Sequence, residues 1–144
     1  ELAVQKAVEL GVKEIVPIIA DRTVKLGLKR DRLEKIIKEA SEQSGRGILP
    51  VLSDSVAFGD AMRAAEANDL NLFFELGGKS LEGSKLDLGK YKKIGIFIGP
   101  EGGWSEDELK LKSEKLKVCG LSPFTLRAET AAIAALALVS QQLK

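Results

Sequence analysis

Ile-Gly-Ile-Phe-Ile-Gly-Pro-Glu-Gly-Gly-Trp-Ser, residues 94–105, is the stretch that decides the fold of this chain. Its first five residues form an apolar run typical of a buried strand, and the glycines at 99, 102 and 103 allow a backbone to approach a ligand closely. Ser105 and Glu108 have the spacing of a capping box, so a helix is predicted to begin there. The stretch predicts a ligand site between a strand and a helix; a tight turn that needs positive φ is the alternative.

The glycine loop fits neither of two common nucleotide-binding patterns. No Gly-Lys-Ser/Thr follows it, as a P-loop requires, and its spacing differs from the G-x-G-x-x-G of dinucleotide sites. The helix that follows opens with Glu106, Asp107 and Glu108, and this acidic first turn disfavours a phosphate. A neutral or zwitterionic ligand suits the loop better.

Apolar runs and amphipathic segments alternate along the rest of the chain. Helices are predicted at residues 2–10 and 30–43, then from a cap at Asp54 or Ser55 through 62–67, and at 129–143. Strands are predicted at 12–19, 48–52, 70–76, 94–98 and 118–119, with a loop at 77–89. Continuous apolar strands separated by helices indicate an α/β fold with a parallel sheet and helices on both faces.

Three strand exits are candidate binding segments, because ligands of parallel sheets lie outside the carboxyl ends of the strands. They are residues 75–78, 99–103 and 120–123, all rich in glycine or in turn-forming residues.

Residues 121–131 form a second segment suited to chemistry. Apolar Leu121 and Leu126 lie beside free backbone groups that could hold an adenine, and Arg127 and Glu129 follow at the start of an apolar helix. The alternative is a capped helix in which Glu129 favours the positive end of the dipole and pairs with Arg127.

Composition limits the possible chemistry. A chain of 144 residues is one domain, and 22 basic against 21 acidic residues leave a net charge of +1, which selects no partner. Without histidine and with a single cysteine, the chain cannot form disulfides, Ser-His-Asp triads, Cys-His dyads or Cys/His zinc sites, and no metal is predicted. The longest apolar run, residues 131–139, is too short to span a membrane and no secretory leader is visible, so we predict a cytoplasmic protein.

Basic residues concentrate between positions 22 and 38. Seven of them stand against Asp31 and Glu34, a local excess of +5 that could face RNA phosphates or simply be a solvated helix face; they are Arg22, Lys25, Lys29, Arg30, Arg32, Lys35 and Lys38. Outside this run, Arg46 in the Glu-Gln-Ser-Gly-Arg turn is the strongest candidate for a substrate contact.

Four ordered motifs make the chain resemble the RsmE-type ribosomal RNA uridine-N3 methyltransferases of the SPOUT superfamily. They are Gln-Lys-Ala-Val-Glu-Leu-Gly-Val at 5–12, Glu-Gln-Ser-Gly-Arg at 42–46, Ile-Gly-Pro-Glu-Gly-Gly at 98–103 and Leu-Arg-Ala-Glu-Thr-Ala at 126–131. The resemblance implies a deep trefoil knot near the C-terminus that forms an S-adenosylmethionine (SAM) pocket, methylation of a uridine N3 in 16S ribosomal RNA, and a homodimer joined through the apolar helix.

The resemblance also assigns residues. Arg127 and Glu129 are the catalytic candidates, and Arg22, Lys25 and Arg46 are the RNA-binding ones. Two residues depart from the family pattern, Ser122 where glycine is usual and Phe124 where a basic residue is usual. The cofactor-binding positions are Leu76, Gly77, Gly99, Pro100, Glu101, Gly102, Gly103, Leu121, Ser122, Pro123 and Leu126.

We expect residues 1–144 to be a single SAM-dependent methyltransferase domain, with the family's N-terminal RNA-binding β-barrel domain and first catalytic strand missing. Two other functions stay open at this point: a nucleotide-binding regulatory module, and a catalytically silent RNA-binding scaffold.

Overall fold

A computed structural model describes residues 1–24, 27–111 and 114–143 of the chain. In chain order its elements are α1 (Leu2–Glu9), β1 (Glu14–Ile15), β2 (Ile18–Ile19), α2 (Arg30–Gln43), β3 (Val51–Leu52), β4 (Val56–Ala57), α3 (Phe58–Ala65), β5 (Leu70–Ser80), a 3₁₀ turn (Leu88–Lys90), β6 (Ile94–Ile98), α4 (Glu106–Leu109), β7 (Leu116–Gly120) and α5 (Ala128–Gln142).

Every strand pair in the described chain is parallel. The largest sheet has three strands in the order β6-β5-β7, so the long β5 is central. Phe74 of β5 is in register with Ile98 of β6 and with Cys119 of β7, which brings the ends of these strands to one edge. The short pairs β1-β3 and β2-β4 lie in the N-terminal half.

Helices cover both faces of this sheet, as predicted. On one face, alternate residues of β5 pack with buried Ala135 and Val139 of α5; they are Leu70, Leu72 and Phe74. On the other face, Phe73 packs with Phe97 of β6, Trp104, and Phe58 of α3. A third cluster joins α1, α2 and β3 and contains Val8, Leu33, Ile37, Ala40 and Leu52.

The predicted bounds of α2 and β6 are confirmed, whereas the strand at 12–19 is two strands of two residues. Pro17 lies between them and contributes its carbonyl, which accepts from Val56 N at 3.0 Å. The strand at 48–52 is confined to Val51–Leu52, because only these two residues pair with β1.

The predicted cap of the third helix is wrong. Residues after Ser55 continue as β4 and pair with β2, so α3 begins at Phe58 with Ala57 as its N-cap residue and without a side-chain cap. Because residues 56–57 pair with β2, the helix begins later than a cap at Asp54 or Ser55 would allow.

β5 also runs beyond the predicted strand, through the beginning of the predicted loop. Cys119 opposes both Phe74 and Lys79, so residues 75–78 bulge out between two stretches of pairing with β7. Gly78 and Gly120 lie against each other at this bulge: a Cβ on Gly120 would be 2.3 Å from the Gly78 carbonyl oxygen. The bulge therefore requires that neither position carry a side chain.

Replacing Gly120 with alanine is expected to lower the free energy of unfolding by about 2 to 3 kcal/mol, since backbone must move to accommodate the methyl group. Gly59→Ala is the matched control, because open space surrounds that position on α3 and alanine favours a helix. Urea unfolding of both variants measures the difference. Equal stability of the two variants would contradict the close approach of Gly78 and Gly120.

Candidate functional site

A cleft opens where β5 bulges and where β6 and β7 end, and all three predicted strand exits contribute to it. Its volume is about 590 Å³ when the space open to solvent is counted. Its walls are Phe74, Glu75, Leu76, Ile98, Gly99, Pro100, Glu101, Gly103, Leu121, Ser122, Phe124, Thr125, Leu126, Ala128 and Ala131.

Most of the predicted cofactor positions line this cleft. Eight of them do: Leu76, Gly99, Pro100, Glu101, Gly103, Leu121, Ser122 and Leu126. Gly77, Gly102 and Pro123 do not, and two of these have clear structural roles. Gly77 adopts φ 84° in the bulge, and the Gly102 carbonyl accepts a hydrogen bond from Arg22.

Seven wall residues were not among the named cofactor positions, although Glu75 lies in a predicted strand exit and four others lie in the predicted 121–131 segment. The seven are Phe74, Glu75, Ile98, Phe124, Thr125, Ala128 and Ala131. Phe74 and Ile98 form the last register pair between β5 and β6, just before β5 bulges, so the strand-exit rule, applied one residue earlier, could have found them.

Trp104 fixes the far end of the glycine loop. Its side chain is buried, with ring centroids 5.2 Å from those of Phe73 and Phe58. At the near end of the loop, a Cβ on Gly99 would be 3.1 Å from the Trp104 ring. Within the loop, Gly103 adopts φ 74°, and its backbone N donates to the Pro100 carbonyl at 2.8 Å. The loop therefore turns tightly over the indole, a conformation that depends on glycine.

The predicted capping box is present and reaches beyond its own helix. Ser105 Oγ accepts from Glu108 N at 3.2 Å, and Glu108 Oε2 accepts from Ser105 N at 3.1 Å. The buried Glu108 carboxylate also accepts from Asp21 N at 2.5 Å, while Ser105 Oγ donates to Asp21 Oδ2 at 2.5 Å. The cap of α4 is thus joined to the segment that follows β2.

Arg22 extends the same connection to the glycine loop, since its Nη1 donates to the Gly102 carbonyl at 2.8 Å. Together, Asp21 and Arg22 hold the loop and its helix across 87 and 80 residues of sequence. The structure therefore gives Arg22 a partner in the site.

Arg127 lies beside the cleft. It is the N-cap residue of α5, is exposed, and lines an adjoining open space with Glu101, Thr125 and Leu126. Glu129 is half-buried and lines neither space. Glu129 lies in the first turn of α5, as the capped-helix alternative expected, but the ion pairs among the described residues do not include Arg127 with Glu129.

A family model described as an RNA methyltransferase domain matches residues 1–140. The chain belongs to this family.

Relatives of this methyltransferase domain agree with that assignment. Ribosomal RNA small subunit methyltransferase E of Bacillus subtilis is 36% identical over 155 residues, covering 99% of this chain and 60% of the relative. The protein of the same name from Rickettsia conorii is 35% identical over 143 residues, covering 96% and 57%. The chain thus spans about 60% of the length of these curated relatives. The resemblance drawn from the four motifs is confirmed.

A solved structure shows the same fold. Ribosomal RNA small subunit methyltransferase E from Neisseria gonorrhoeae, bound to S-adenosyl methionine, superposes with a TM-score of 0.86 at 31% identity, covering 97% of this chain and 59% of that chain. The α/β architecture predicted from the sequence is therefore that of a methyltransferase structure.

The basic residues of this methyltransferase domain have more protein partners than the sequence suggested. Arg46 Nη1 donates to the carbonyls of Val8 and Val12, at 3.1 and 2.8 Å, and so holds the end of α1. Lys25 lies outside the described residues. Three other members of the basic run form ion pairs: Arg30 with Glu34 and Asp54, Arg32 with Glu1, and Lys35 with Glu39. Three of these carboxylates, Asp54, Glu1 and Glu39, lie outside residues 22–38 and therefore offset part of the local excess of +5.

Both departures from the family pattern lie at the cleft. Phe124 is 76% exposed, and its backbone N donates to Ser122 Oγ at 3.0 Å. Serine therefore supports this turn through its hydroxyl, which glycine could not do.

Two further properties concern residues 1–24, 27–111 and 114–143. In these ranges no helix is long and apolar enough to cross a membrane, and no group of three or more acidic or cysteine side chains is arranged to hold a metal ion.

Arg22→Gln is expected to loosen the glycine loop by removing a charged donor to the Gly102 carbonyl. Loss of this exposed hydrogen bond is expected to lower the free energy of opening the loop by about 1 kcal/mol, which corresponds to about fivefold faster amide exchange at Gly103. Hydrogen exchange followed by NMR measures it. Arg63→Gln is the matched control, since Arg63 is an exposed arginine on α3 paired with Asp60 alone in the described chain. Unchanged exchange at Gly103 in Arg22→Gln would show that this hydrogen bond does not hold the loop.

Proposed function

We propose that this chain transfers a methyl group from SAM to the N3 of a uridine in small-subunit ribosomal RNA. The observation that carries the proposal is the cleft at the strand ends, built from the glycine loop and the 121–126 loop, in a domain whose family and relatives are RNA methyltransferases. The choice of the uridine N3 as the methyl acceptor is supported by the resemblance of the four motifs.

The residues of the cleft fit SAM. Apolar side chains can enclose an adenine, and the 121–126 loop offers backbone groups to its edge; the apolar walls include Phe74, Ile98, Leu121 and Leu126. Among the described wall residues none is basic and two are glutamates, Glu75 and Glu101, a lining that disfavours a nucleotide phosphate. This lining favours a methyltransferase over the nucleotide-binding module.

The chain's own groups must prepare the uridine, whose N3 carries a proton. When bound, SAM supplies an electrophilic methyl group on a sulfonium. Arg127, beside the cleft, is proposed to stabilise the negative charge that the uracil O2 and O4 gain as N3 loses its proton. Glu129 stays the proposed acceptor of that proton, on the first turn of α5 but outside the cleft wall. Positioning of the two reactants contributes the remaining acceleration.

The RNA partner and the homodimer are also proposals. α5 is apolar on nearly every face, yet only Ala135 and Val139 of its described residues are buried, and Leu138 is 43% exposed. A second copy packed on this helix would cover that surface. Arg22, Lys25 and Arg46 stay the predicted RNA contacts, although Arg22 and Arg46 each also have a protein partner.

Three further predictions accompany the function: the C-terminal trefoil knot, the single catalytic domain over residues 1–144, and the cytoplasmic location. The knot would bring the glycine loop and the 121–126 loop together at the cleft, which is where the structure places both.

Calorimetric titration of SAM and S-adenosylhomocysteine into the chain tests the cofactor site. We expect saturable binding of both, weakened about tenfold in Gly103→Ala, because Gly103 lines the cleft at φ 74° and a Cβ there strains the backbone. Gly11→Ala is the matched control: it has φ 90° and open space, at the end of α1 outside the cleft wall. Absence of binding by folded wild-type protein would contradict the proposal.

The reaction itself is tested by incubating the chain and SAM with unmodified small ribosomal subunits and measuring N3-methyluridine by mass spectrometry. Arg127→Gln is expected to lower kcat by about 100-fold with little change in SAM affinity. If subunits bind but no N3-methyluridine forms, the chain is an RNA-binding scaffold.

A further inference from the structure

The cleft has an asymmetric charge. Two of the residues that line the cleft, Glu75 and Glu101, have carboxylate side chains, and none of the described wall residues is basic. Glu101 is exposed, so solvent screens it, whereas Glu75 is half-buried at the end of the buried part of β5. Glu75 is therefore the charge that a ligand in the cleft would experience most strongly.

Glu75 lies directly against the glycine loop. Its Oε1 is 3.4 Å and its Oε2 3.8 Å from the position that a Cβ on Gly103 would take. Neither oxygen has a hydrogen bond or ion pair among the described residues, so the carboxylate stays uncompensated by direct contact. A half-buried, unpaired carboxylate beside the apolar core of a sheet attracts a cation more strongly than one in open water.

Two arginines approach the site without lining the cleft at Glu75. Arg22 Nη1 is 3.9 Å from the same Gly103 position but donates to the Gly102 carbonyl. Arg127 lines the adjoining space with Glu101. Both are exposed, so their charges are screened more than that of Glu75.

SAM and S-adenosylhomocysteine differ by one methyl group and one positive charge. SAM carries a sulfonium, an ammonium and a carboxylate, a net charge of +1, whereas the product is neutral overall. We propose, on the basis of the proposed function, that Glu75 is a specificity-determining residue that makes the cleft prefer the cationic cofactor to its neutral product. Loss of the sulfonium charge during the reaction then weakens the hold on the product and favours its replacement.

Titration calorimetry of SAM and S-adenosylhomocysteine into wild type and Glu75→Gln at low salt tests this inference. The amide keeps the shape of the side chain and removes its charge, so we expect SAM affinity to fall about tenfold and product affinity to change less than twofold. Glu75→Asp is expected to keep most of the wild-type preference. Raising the salt concentration is expected to reduce the preference in wild type and to leave Glu75→Gln unchanged.

Glu106→Gln is the matched control, because Glu106 is an exposed carboxylate in the first turn of α4 and does not line the cleft. Its ratio of the two dissociation constants should match wild type. An unchanged ratio in Glu75→Gln, or an equal loss of both ligands there, would overturn the inference while leaving the methyltransferase function intact. If wild type binds neither ligand, the proposed function itself fails.

Discussion

The packing of Trp104 beneath the glycine loop is the contact on which the site depends. An indole side chain buries roughly 150–250 Å², and here it joins the rings of Phe58, Phe73 and Phe97 on one face of the sheet. Phe73 and Phe97 stack with centroids 4.3 Å apart, which links the two strands that end at the cleft. The core of the domain and the shape of the loop are therefore set by one aromatic cluster.

Several other features follow from that anchor. With Trp104 buried, the chain must turn from the end of β6 to the cap of α4 within a few residues, and glycines at 99 and 103 allow the turn. Asp21 and Arg22 bind the Glu108 side chain and the Gly102 carbonyl, neither of which lines the cleft. Other residues of the loop, including Gly99 and Gly103, form a wall of the cleft. The bulge at residues 75–78 then brings Glu75 to the same wall.

The parts of this arrangement that depend on local chemistry could be predicted from the sequence. The apolar run of β6, the capping box at Ser105 and the amphipathic α2 each occur where the pattern indicated, because neighbouring residues determine them. The extension of β5 and the start of α3 could not be predicted, because each depends on pairing with a strand distant in sequence. The positions of Arg22 and Arg46 show the same limit. From the sequence alone, each basic residue is a candidate RNA contact, because the backbone carbonyl to which it donates can be identified only from the structure.

Mapping the bound cofactor on the protein tests most directly whether the three strand exits form one SAM site. In an NMR titration of the labelled chain with SAM, we expect the largest amide shifts at residues 75–78, 99–103 and 121–126, all saturating with a single dissociation constant. Shifts centred on the α1–α2 cluster around Val8 and Leu33, with those three segments unperturbed, would contradict the cleft as the cofactor site.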